Sequence, residues 1–134
     1  MPQHSANAMK VAEFLEKDDR VSWINYPGLK SNKYYPLVEK YLPNGASGVV
    51  SFGVKGGREK AVKFLDSLKI AAIVTHVADA RTCALHPASS THRQLTDQQL
   101  IDCGVSPDLV RFSVGIENAD DIIADIDQAL NNAQ

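Results

Sequence analysis

Arg111 is the side chain whose type and position best suit it to hold an anion. It lies in the run Leu109 to Ile116. Strand alternation puts Val110, Phe112, Val114 and Ile116 on one side of that run, and Leu109, Arg111, Ser113 and Gly115 on the other. An arginine midway along an apolar strand stands on a rigid platform, and its planar fork matches a carboxylate through two parallel hydrogen bonds. A surface ion pair with a nearby Asp or Glu would use the same features, and alternation alone does not separate the two. The second concentration of chemistry is Thr75 to His92, THVADARTCALHPASSTH, dense in small and polar residues. Such a stretch can offer hydroxyls, an imidazole and backbone amides to a ligand, or be an ordinary surface connection.

A complete active site does not emerge from motifs. The chain has no P-loop, no G-x-G-x-x-G, no HExxH and no G-x-S-x-G. His4, His76, His86 and His92 match no zinc spacing, so structural or solvated roles are expected for them. Lys55-Gly56-Gly57-Arg58 lacks the flanking residues of a phosphate loop and reads as a strand-to-helix turn. Cys83 and Cys103 lie far apart without a CxxC and read as reduced thiols.

The elements that must position these residues alternate along the chain. A first helix carries Ala8, Val11, Ala12 and Leu15 at helical spacing, with Ser5 as its expected N-cap. Val21 to Tyr26 reads as a strand ended by Pro27-Gly28, and Tyr34 to Leu42 as a short helix stopped by Pro43-Asn44-Gly45. Gly48 to Lys55 is a strand with Val50, Phe52 and Val54 on one face. A helix follows to about residue 69, with Ala61, Phe64, Leu65 and Leu68 as its buried stripe. Ile70 to Val74 and Thr82 to Leu85 are two short strands, and HPASSTHRQL is a loop. Thr96 with Gln99 forms a capping box for a short helix stopped by Gly104. Asn118 caps a final helix with Ile122, Ile123, Ile126, Ala129 and Leu130 facing the core. The expected fold is therefore α+β: a small, mostly antiparallel sheet of four to five strands, with helices packed on one face. The other face would be open to a partner.

Composition bounds the partners. The 134 residues suffice for one domain, 44% hydrophobic and 22% charged, with a formal net charge of -2. That charge provides no electrostatic case for nucleic acid or an anionic membrane. No apolar run is long enough for a transmembrane helix, and MPQHSANAMK lacks a signal-peptide core, so a cytoplasmic location is expected.

YPGL at 26–29, the KYLPNG-to-VVSF transition, HPAS-x-TH at 86–92 and R-x-SVGIE at 111–117 occur in one order across nearly the whole chain. In this combination the sequence resembles the C-terminal domain of the Cys/Met-metabolism pyridoxal-phosphate (PLP) enzymes. HVADART followed by HPASSTHRQL is similar to the O-acetylhomoserine sulfhydrylase branch. The resemblance implies a single C-terminal domain over residues 1–134, with residues 1–17 forming part of a helix that joins it to a PLP-binding domain. It implies that Arg111 binds the α-carboxylate of an amino-acid substrate. The loop position that often holds a Ser or Asn near that carboxylate is His76 here. The implied reaction is a γ-replacement giving homocysteine and acetate from O-acetylhomoserine and sulfide. PLP would serve the full-length enzyme, which would be a homo-oligomer. This chain has no Ser-x-Thr-Lys segment to supply the imine-forming lysine, so no cofactor is expected on it alone. A stand-alone amino-acid-binding module and a self-associating domain are the alternatives.

Overall fold

A computed structural model describes residues 1–134. The chain runs α1 (Pro2–Glu16), β1 (Val21–Asn25), α2 (Tyr35–Tyr41), β2 (Val49–Val54), α3 (Gly57–Asp66), β3 (Ala72–Ile73) and β4 (Cys83–Leu85). A 3₁₀ turn at Pro87–Ser89 leads to α4 (Asp97–Asp102), β5 (Leu109–Ser113) and α5 (Ala119–Ala133). The five strands form one sheet in the order β1-β2-β5-β4-β3. All neighbours are antiparallel except β3 and β4, which pair in parallel. The expected α+β architecture is the one observed.

The sheet has two unlike faces because its register aligns apolar residues across strands. Phe52 pairs with Val110 and Ile24, and Phe112 pairs with Val50 and Ala84. These side chains meet α1, α3 and α5. Phe52, Phe64 and Phe112 form a triangle of rings with centroids 5.7, 5.9 and 6.2 Å apart. Each ring removes enough apolar surface from water to contribute about 2–3 kcal/mol. Ala8, Val11, Ala12 and Leu15 of α1 and Ile122, Ile126, Ala129 and Leu130 of α5 complete this core. Small residues on α1 allow it to approach the sheet and α5 closely.

Local signals set most boundaries. Thr96 and Gln99 form the capping box, and the Asn118 side chain accepts the Asp120 amide. Gly56 and Gly57 take φ of 102° and 78°, which lets β2 turn into α3 where a Cβ would be strained. Four expectations differ from what forms. Ser5 does not cap α1. The helix begins earlier, with Pro2 in its first turn, where the missing proline N–H costs nothing. The helix expected to reach residue 69 stops at Asp66 because the buried Asp125 carboxylate of α5 takes the amides of Lys69, Ile70 and Ala71 at 2.8, 2.8 and 3.1 Å. The strand expected from Ile70 to Val74 shrinks to two residues at the sheet edge. Ile116 is exposed rather than in the core, because β5 ends at Ser113 and alternation ends with it. No helix is long and apolar enough to cross a membrane.

Candidate functional site

Arg111 lies at the centre of the helix-free face. Its backbone pairs with Ser51 of β2 on one side and Leu85 of β4 on the other. This two-sided pairing fixes where the side chain starts, as strand alternation requires. No Asp or Glu stands at ion-pairing distance from the guanidinium; the ion pairs of the chain involve Arg20, Arg58 and His76. The surface ion pair left open by alternation does not form. One Nη donates to the Thr75 carbonyl at 2.9 Å. The Nε is buried and has no acceptor at all. A buried, unpartnered donor on a full positive charge is costly, and the other Nη, which has no protein acceptor and is not buried, is the donor an anion can reach.

Residues 75–82 cross this face beside the guanidinium. Ala78 has φ of 58°, a left-handed conformation that costs a non-glycine residue about 1–2 kcal/mol. Its amide donates to the Ser113 hydroxyl at 3.0 Å. Ser113 shares the Arg111 face of β5 and is buried. At the far end of the segment the Glu117 carboxylate accepts from the Thr82 amide at 2.6 Å and the Thr82 hydroxyl at 2.8 Å. The Thr82 hydroxyl in turn accepts the Gly115 amide at 3.0 Å. Asn7 of α1 closes the knot by donating to the carbonyls of Gly115 and Glu117 at 3.0 and 2.8 Å. Gly115 is required there: a Cβ would overlap the Ala80 carbonyl, the Thr82 amide and the Glu117 carboxylate.

His76 is exposed, and its Nδ1 lies 3.2 Å from the Asp79 carboxylate, with no hydrogen bond to Arg111. The Arg81 amide first, and then the His76 imidazole, hold the Asp79 carboxyl below its ordinary range. The rest of the 75–92 stretch is structural. His86 is buried, with its Nε2 donating to the Pro107 carbonyl at 2.7 Å and its Nδ1 accepting from Ser89 at 2.8 Å. Burial holds this imidazole below its ordinary value, so it stays neutral near pH 7. Arg58 binds the Ala88 carbonyl at 2.9 Å and pairs with Asp97, tying α3 to the same turn.

Sequence reasoning missed Ser113, Ala78 and the Thr75 carbonyl. Alternation already placed Ser113 beside Arg111. A backbone carbonyl leaves no trace in residue type. A groove between α1 and residues 28–46 lies elsewhere and contains none of these groups.

The arrangement leaves a guanidinium without a counter-charge, and it is not built for PLP. An aldehyde cofactor needs a lysine amine, yet no lysine occurs on β4, β5 or residues 75–92. The residues around Arg111 present one guanidinium rather than a cluster of phosphate donors.

The fold and site together define a class: an α+β domain with one helix-covered face and an unpaired arginine on the other. The chain belongs to the Cys/Met metabolism PLP-dependent enzyme family, whose model matches residues 1–131. It is 50% identical over 133 residues to the O-acetyl-L-homoserine sulfhydrylase of Leptospira meyeri, covering 98% of this chain and 30% of that protein. It is 48% identical to the homocysteine synthase of Schizosaccharomyces pombe, covering 99% of this chain and 31% of that protein. It is also 45% identical to the L-methionine gamma-lyase of Treponema denticola, covering 98% and 32%. The crystal structure of a putative O-acetylhomoserine (thiol)-lyase from Campylobacter jejuni, with a pyridoxyl-lysine phosphate, superposes with a TM-score of 0.88 at 40% identity, covering 96% of this chain and 31% of that one. The chain thus spans about 30% of the length of the relatives it matches.

Proposed function

We propose that this chain is the C-terminal, substrate-binding part of a longer PLP-dependent enzyme, and that Arg111 holds the α-carboxylate of its amino-acid substrate. The observation that carries this reading is the Arg111 guanidinium itself. It lies on the helix-free face with no protein carboxylate and a buried Nε lacking any acceptor. A substrate carboxylate supplies the missing charge and an acceptor for the Nη that the protein leaves free. The Thr75 carbonyl orients the fork by occupying one Nη. His76, exposed in the same segment, is a secondary contact for the substrate.

The names of the more similar relatives favour a γ-replacement on O-acetylhomoserine. The bond from the γ-carbon to acetate breaks, a bond to sulfide forms, and homocysteine is the product. The cofactor is the electron sink for that chemistry and belongs to residues outside this chain. Residues 1–17 would then continue a helix from the cofactor-binding part. The assembled enzyme would be a cytoplasmic homo-oligomer.

The test is Arg111→Lys in the full-length protein. A point-charge ammonium does not reproduce the planar fork. Losing about 1.5–3 kcal/mol of charge-assisted hydrogen bonding should raise KM roughly 10- to 100-fold. An unchanged KM would refute the role.

A further inference from the structure

The 75–82 segment is held at several points, most of them from β5 and the residues that follow it, with the Ala72 amide of β3 donating to the Thr82 carbonyl at its end. Arg111 takes the Thr75 carbonyl, Ser113 takes the Ala78 amide, the Ile116 amide takes the Ala80 carbonyl and Glu117 takes Thr82. A further tie comes from α1, where His4 Nε2 lies 3.0 Å from the Asp79 carbonyl. A carbonyl only accepts, so Nε2 carries the proton and donates. The other nitrogen, Nδ1, is buried without a partner. His4 as a whole residue is only 9% exposed. His4 is therefore a fixed donor aimed at one peptide. That peptide joins Asp79 to Ala80, one residue beyond Ala78, whose left-handed φ of 58° the chain would not choose unaided. Releasing the Asp79 carbonyl lets Ala78 relax, and with it the carbonyl and amide that meet Arg111 and Ser113.

We propose that His4 is a positioning residue for the carboxylate site, acting through the Asp79 carbonyl to hold the 75–82 segment against Arg111 and Ser113. This rests on the reading of Arg111 as the substrate anchor. It gives α1 a second task besides core packing: its first turn sets the geometry of the anion site across the molecule.

The experiment is steady-state kinetics and thermal denaturation of the full-length protein carrying His4→Phe, His4→Asn or His4→Gln. Phe fills the space without a donor. Asn keeps polarity but is too short to reach. Gln places an amide near the Nε2 position. We expect Phe and Asn to raise the amino-acid KM about three- to tenfold, the loss of one hydrogen bond, with kcat held within about twofold. Gln should restore most of the wild-type KM. Ala78→Gly, which adopts positive φ freely, should shrink the His4→Phe effect when the two are combined. Lowered melting temperature with unchanged KM in both Phe and Asn variants overturns the proposal, as does an undiminished effect in the Ala78→Gly background. If Phe fails to fold, Asn alone decides. If Arg111→Lys raises KM while the His4 variants do not, only this inference falls. If Arg111→Lys leaves KM unchanged, both fall.

Discussion

Replacing Asp125 with Asn should destabilise this domain far more than its chemical conservatism suggests. Asp125 is only 5% exposed, on the inner face of α5. One carboxylate oxygen accepts from the Lys69 amide at 2.8 Å and the Gln128 side chain at 3.0 Å. The other accepts from the Ile70 and Ala71 amides at 2.8 and 3.1 Å. An asparagine has one oxygen and one NH₂ in the same space. Whichever way it is turned, the NH₂ faces two donors, and a buried donor without an acceptor costs about 1–3 kcal/mol. Gln128 can swing away, so the net loss is about 3 kcal/mol. For a domain of this size that corresponds to a melting temperature lower by about 10 °C. Circular dichroism melts and urea titrations of the wild-type and variant chains measure it. A shift below about 2 °C would show that the amides of residues 69–71 find other acceptors, and that Asp125 does not end α3.

Other outcomes follow from the same structure. Gly115→Ala should cost about 2 kcal/mol in urea unfolding, because its Cβ must displace the Ala80 carbonyl and the Glu117 carboxylate. Phe112→Ala should cost about 3–5 kcal/mol by removing one ring of the aromatic triangle. His86 titrates below its ordinary value because burial disfavours the charged ring. With the folded value depressed, the unfolded state binds more protons, so this stability is present above pH 6.5 and is lost as pH falls below it. His86→Gln should flatten that part of a stability-versus-pH curve, and an unaltered slope would contradict it. Adding PLP to the purified chain should not produce a stoichiometric yellow complex, which absorbance spectroscopy after desalting would reveal.

Much of the fold was legible because its signals are local. The capping box at Thr96 and Gln99, the Asn118 cap and the apolar stripes of α1 and α5 each lie within a few residues of one another, and each appears as expected, while in α3 Ala61, Phe64 and Leu65 are buried and Leu68 falls beyond the helix end. Alternation in β5 likewise placed Arg111 on the face away from the core. What covers that face was not legible. Residues 75–82 reach Arg111 through backbone groups, Thr75 carbonyl and Ala78 amide, which every residue type shares. His4 was expected to be merely structural or solvated, since its partner is a carbonyl far along the chain. The early end of α3 has the same origin, an acceptor brought from α5. The ion-pair alternative for Arg111 could be excluded only by knowing where every carboxylate falls. The family resemblance compensated for this, because shared motifs carry long-range geometry that periodicity does not.

The central claim is that Arg111 recognises a substrate carboxylate, and a cycle that alters both partners tests it most directly. Binding of the amino-acid substrate and of its α-carboxamide should be titrated to the full-length protein and to its Arg111→Ala variant. The wild type should prefer the carboxylate by roughly 100-fold, the value of a charge-assisted pair. In the variant that preference should collapse to within a fewfold. A variant that still prefers the carboxylate as strongly as the wild type would place the anchor elsewhere and contradict the account.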